Sequence, residues 1–114
     1  MEFLTTIKEQ LPDWAKDIRL NLDAVIARST LAPEDAVGAA LSAAYAARSP
    51  VLVEAFKSGL SEADANAALT ASALMGMNNT WYPYVEMTGD AQLKSLPAQL
   101  RMNAYAPHGG VDKK

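Results

Sequence analysis

Glu86, Asp90 and His108 are the side chains of this sequence best suited to proton chemistry. Two carboxylates at short range are what general acid–base catalysis uses, and a histidine titrates near neutrality as a base or metal ligand. His108 is the single histidine and lies in the stretch Ala106-Pro107-His108-Gly109-Gly110, with no cysteine or second histidine to complete a zinc or redox site. It therefore reads as a solvated loop residue. Glu86 and Asp90 straddle an expected helix end at Gly89, so surface charge is their default role. Asn78 and Asn79 interrupt an apolar stretch, and a buried amide without a partner costs about 1–3 kcal/mol. They predict a specified polar network, which either faces a substrate or, as the reading adopted, caps neighbouring helix ends or locks a subunit contact. Trp81, Tyr82 and Tyr84 flank Pro83 and have the makings of a stacking platform, but no basic patch accompanies them, so core or interface packing is expected. Gly109-Gly110 lacks the fingerprint, lysine and following helix of a phosphate cradle.

Composition narrows the chemistry further. The 114 residues contain no cysteine, which excludes disulfides, thiolate metal sites and thiol catalysis within this polypeptide. No cofactor is expected in it. Half the residues are hydrophobic and a fifth charged, a globular balance that suits one domain spanning 1–114. A net charge of −3 leaves no basic field to hold a phosphate backbone, so nucleic acid is not an expected partner. No run approaches the roughly 18 apolar residues that cross a bilayer, and Met1-Glu2-Phe3 does not open a secretory signal. No membrane partner and a cytoplasmic location are expected.

The elements that would position these residues are helical almost throughout, with no sustained strand alternation. The spacing predicts a short helix over Met1 to Gln10, stopped by Leu11-Pro12, and an N-cap at Asp13. Ile18, Leu22, Val25 and Ile26 then recur at helical spacing and predict one buried face. Pro33, followed by Glu34 and Asp35, opens a second amphipathic helix. Ser49-Pro50 opens a short one that Gly59 closes. Ser61 and Asp64 form a capping-box variant at the start of the longest helix. From Ala67 to Met77 this helix is apolar on nearly every side, the pattern of a central helix wrapped by neighbours. Pro83 should end or kink it near Tyr82, and a helical turn is expected through Arg101-Met102-Asn103. The whole predicts an all-α, compact antiparallel helical bundle. Its many alanines bring helices close but bury modest area, so oligomerisation would help the core.

Two segments carry a family resemblance. Ala73-Leu74-Met75-Gly76-Met77-Asn78-Asn79-Thr80-Trp81-Tyr82 and Leu100-Arg101-Met102-Asn103 resemble the N-terminal half of alkylhydroperoxidase D. The resemblance implies an antioxidant, peroxide-reducing parent enzyme that passes electrons through a Cys-x-x-Cys pair. It also implies a lipoyl-bearing protein as electron donor and a peroxiredoxin as electron acceptor. On it, these 114 residues are the N-terminal half, and the family's catalytic glutamate, cysteines and histidine belong to a half that would follow Asn103. The family's internal duplication further implies that Met77 and Thr80 occupy the two cysteine positions in a degenerate first copy. A thiolate attacks peroxide as an anion, whereas a thioether cannot ionise. Met77 and Thr80 are accordingly structural in this reading, and no catalytic residue is carried over.

The candidates for structural or interface roles are Met77, Asn78, Asn79, Thr80, Tyr82, Arg101 and Asn103, with Arg101 expected to form an ion pair or anchor an amide. Three functions follow. The first is the scaffold and oligomer-contact half of an alkylhydroperoxidase D-like protein, assembling as a homo-oligomer. The second is a stand-alone, non-catalytic helical binding or oligomerisation module. The third is a cysteine-free enzyme using His108, Glu86 or Asp90 on a substrate such as a lactone.

Overall fold

The computed structural model describes residues 1–105 and 110–112, which include no strand. The order is α1 (Glu2–Glu9), a 3-10 turn (Asp13–Ala15), α2 (Lys16–Leu22) running into a π turn (Asp23–Ala27), α3 (Pro33–Ala46), α4 (Pro50–Lys57), α5 (Glu62–Thr88) and α6 (Ala91–Ser95). The expected all-helical bundle is what the chain forms. Among the described residues no helix is long and apolar enough to cross a membrane.

Local signals set several boundaries as expected. Pro33 and Pro50 both begin helices, and the Ser49 hydroxyl accepts from the Leu52 N–H at 3.4 Å. The Ser61 hydroxyl accepts from the Asp64 N–H at 3.1 Å and donates to its carboxylate at 2.8 Å. Asp13 departs from expectation: its side chain caps nothing, and the segment after Pro12 opens as a 3-10 turn. The single helix foreseen over 14–26 is three pieces. Its last turn is π-wound, with the Arg28 N–H donating to the Asp23 carbonyl at 2.9 Å. An ion pair of 2.9 Å from Lys8 to Asp23 ties this turn to α1. Ile18, Leu22, Val25 and Ile26 still line one apolar groove, but Ile26 is buried while Ile18 and Val25 stay 54% and 69% exposed.

The core gathers on α3. Leu41 and Val37 are its most enclosed side chains, surrounded by Leu4 and Ile7 of α1, Ile26 of the π turn, Phe56 of α4 and Ala65 of α5. Helices α3 and α5 lie side by side along a seam of small residues. Gly38 faces Ala68, the Ser42 hydroxyl donates to the Ala68 carbonyl, and the Ser72 hydroxyl donates to the Ser42 carbonyl, both at 2.9 Å. The partners advance together, so α3 and α5 run parallel and α4 is the return between them. A Cβ added at Gly38 would meet the Ala68 Cβ at 4.0 Å, an ordinary contact. Gly38→Ala is therefore expected to stabilise the fold by about 0.5–1 kcal/mol through lost unfolded-state entropy and better helix propensity, read as a higher urea midpoint at unchanged slope.

Helix α5 is much longer than anything packed on it. Its 27 residues extend about 40 Å, against about 21 Å for the 14 residues of α3. The radius of gyration is accordingly 17.2 Å, where a compact chain of 100 residues has about 13 Å. The wrapping foreseen for Ala67 to Met77 thus holds only for the first part: residues 67–72 are half-buried, and Ala73, Met75, Gly76 and Met77 are exposed. Pro83 does not end the helix, which continues to Thr88 and stops at Gly89 with φ +65°. Asn79 and Pro83 are exposed, so water can take over the Asn79 carbonyl that Pro83 leaves without a donor. Residues 101–103 form no helical turn.

Candidate functional site

The protruding part of α5 is flanked by two clefts that share Ala73 and Gly76 in their walls. The larger, about 1100 Å³, opens between the end of α3, the start of α4 and α5, and is lined by Tyr45, Arg48, Val53, Met75 and Asn79 among others. The smaller, about 640 Å³, is lined by Met77, Thr80, Trp81 and Tyr84 of α5 and by Leu100. Leu100 thereby brings the second family-like segment beside the first. A side chain on α5 faces one cleft or the other according to the 3.6-residue period, which is why Asn79 lines the first while Met77 and Thr80 line the second.

The sequence-selected residues are mostly more exposed than their apolar surroundings suggest. Asn79 is exposed and Asn78 half-buried, its Nδ2 donating to the Met75 sulfur at 3.8 Å. Among the described residues the two amides form no buried polar network. The Thr80 hydroxyl donates to the Gly76 carbonyl at 2.9 Å, a bond within the helix that occupies its proton. Tyr82 is exposed, as are Arg101 and Asn103. No ion pair among the described residues includes Arg101. The aromatic cluster likewise falls short of core packing: Tyr82 and Tyr84 are exposed and Trp81 half-buried.

The two carboxylates do not form an acid–base pair. Glu86 contacts Lys94 at 3.4 Å, and the Asp90 carboxylate caps α6, accepting from the Gln92 N–H at 2.8 Å and the Leu93 N–H at 3.4 Å. Each has a structural partner of its own. His108 lies outside the described residues. Among the described residues no cluster of His, Cys, Asp and Glu could hold a metal ion.

The end of α3 is built in a way that no glycine in the sequence announces. Arg48 has φ +58°, the left-handed region, and follows the end of α3. Its N–H donates to the Tyr45 carbonyl at 3.0 Å while the Ser49 N–H donates to the Ala44 carbonyl at 3.1 Å. This is the paired bonding of a Schellman motif, whose left-handed residue is usually glycine. The signal available in the sequence was the Ser49-Pro50 start of α4, which forces α3 to terminate just before it.

No protein-family model matches the chain. Among curated proteins, an alkyl hydroperoxide reductase AhpD of Rhodospirillum centenum is 44% identical over 114 residues, covering 96% of this chain and 61% of the relative. The proteins of that name from Bradyrhizobium sp. strain BTAi1 and Coxiella burnetii strain Dugway are 42% and 41% identical, covering 94% and 97% of this chain. The chain spans 61% of the Bradyrhizobium relative's length and 66% of the Coxiella relative's.

Proposed function

Because this chain belongs to the alkyl hydroperoxide reductase AhpD family over the part it spans, we propose that it is the thiol-free scaffold of such a protein, corresponding to its N-terminal half. Its role is to present α5 as a contact surface. The observation that carries this reading is the second half of α5, a largely apolar helix with a cleft on either flank in a chain without cysteine. Reduction of an alkyl hydroperoxide to an alcohol and water takes two electrons, which a thiol pair can supply and a thioether cannot cycle. The redox step, and with it the peroxiredoxin and lipoyl-protein partners, is assigned to a thiol-bearing part that packs on α5. Homo-oligomer contacts are assigned to the same surface.

Two measurements test this. Cumene hydroperoxide with dihydrolipoamide should disappear no faster with the chain than without it; turnover by the chain would end the scaffold reading. Sedimentation velocity over a wide concentration range should show a mass that rises with concentration. Met77→Asp, a charge set on an exposed position of α5 away from the core, should weaken that association at least tenfold, about 1.4 kcal/mol. A monomer at every concentration would remove the oligomer contact from the proposal. The second reading, a stand-alone oligomerisation module, rests on the same surface and gains if the chain self-associates yet never binds a thiol-bearing family segment.

A further inference from the structure

The larger cleft has a polar lining whose groups are mostly engaged. The Ser42 and Ser72 hydroxyls are spent on the α3–α5 seam, the Ser49 hydroxyl caps α4, and Glu54 contacts Lys57 at 3.7 Å. Arg48 is different. Its guanidinium takes part in no hydrogen bond or ion pair among the described residues, and it is the single cation in the lining. It also occupies the left-handed position of the Schellman motif, where glycine would sit without strain. Beside it the lining is apolar, with Ala43, Ala46, Val53 and Met75. A concave, mainly apolar surface with a few unspent polar groups is the usual form of a small-molecule site. A guanidinium, in turn, matches a carboxylate in charge and in two-pronged geometry.

We infer that the α3–α4–α5 cleft binds an aliphatic carboxylate, its head on the Arg48 guanidinium and its chain on the wall of Ala43, Ala46, Val53 and Met75. The site lies on the α3–α4 flank of the α5 surface assigned above to protein contacts, and its test needs no thiol-bearing partner.

The test is a calorimetric titration of the whole chain with octanoate, with octan-1-ol as the neutral control and octylamine as the cationic one. Octanoate should saturate one site, with both controls at least tenfold weaker. The deciding variant is Arg48→Gly. Relief of the left-handed strain should raise its melting temperature by about 4 °C while octanoate binding falls at least tenfold, so unfolding cannot explain the loss. Arg48→Lys should fall between, because it keeps the charge and loses the fork. The inference is overturned if octanoate does not saturate, if octan-1-ol binds as well, or if Arg48→Gly binds octanoate unchanged. A lowered melting temperature in Arg48→Gly would make Arg48 a structural clamp and overturn it equally. Binding of a short poly-glutamate peptide without any response to octanoate would assign the cleft to a protein partner instead.

Discussion

Leu41→Ala is expected to lower the free energy of unfolding by about 2–5 kcal/mol. Leu41 is 0% exposed and sits in the cluster where α1, the π turn, α4 and α5 meet α3. Alanine is the best helix former, so the backbone of α3 loses nothing and the whole cost comes from lost burial and the cavity left behind. Neighbours can do little to close it. Val37 and Ala44 lie on the same helix, one turn away on either side, and the seam with α5 is already at small-residue distance. Domains are stable by only about 5–15 kcal/mol, so this variant should be partly unfolded at modest temperature. Urea denaturation followed by circular dichroism checks it. A loss below about 1 kcal/mol would mean that the helices around α3 pack far less tightly than their burial indicates.

Gly59→Ala is the second large effect, and its cause is the opposite one. A Cβ built on Gly59 would lie 2.4 Å from the Phe3 ring, whose edge-to-face partner is Phe56 with centroids 6.0 Å apart. No real Cβ tolerates that distance, so the ring must move. Moving it disturbs the contact through which the α1 end of the bundle meets α4. Overpacking of this kind costs about 1–3 kcal/mol, against which the helix-propensity gain of alanine counts for nothing outside the helix. Phe3→Leu in the same chain should return part of the loss, because a smaller side chain vacates the space. The double-mutant cycle should therefore show a coupling of about 0.5–3 kcal/mol. Simple additivity of the two substitutions would place the damage in the α4–α5 turn itself.

These two residues also mark what could be read in advance. Gly59 was expected to close α4, a local role, and the Phe56 carbonyl does accept its N–H at 3.0 Å. The Phe3 ring lying across it comes from the far end of the chain, and no local pattern carries that contact. The same division runs through the candidate site. Met77 and Thr80 were selected on the family's Cys-x-x-Cys spacing, and Asn78 and Asn79 as amides in an apolar stretch. On the helix, successive residues turn to different sides, so Asn79 lines one cleft and Met77 and Thr80 the other. Arg101 and Asn103 were selected on resemblance, and the structure brings only their neighbour Leu100 into a cleft wall.

What the sequence determined by itself was the all-helical class, the starts of α3, α4 and α5, the absence of thiol chemistry and the family resemblance. Each depends on residue type or on spacing within a few residues: a proline at a first turn, a serine cap, a 3.6-residue period, a missing cysteine. The tertiary structure alone decided that the helix over 14–26 ends in a π turn, that α5 runs through Pro83, and that an apolar helix stands partly uncovered. Hydrophobic periodicity says that a face seeks burial but not what buries it. Burial is supplied by other elements, and beyond residue 72 they cover α5 only in part: Val85 is buried and Leu74 and Trp81 are half-buried, while Met75, Met77, Tyr82, Tyr84 and Met87 stay exposed.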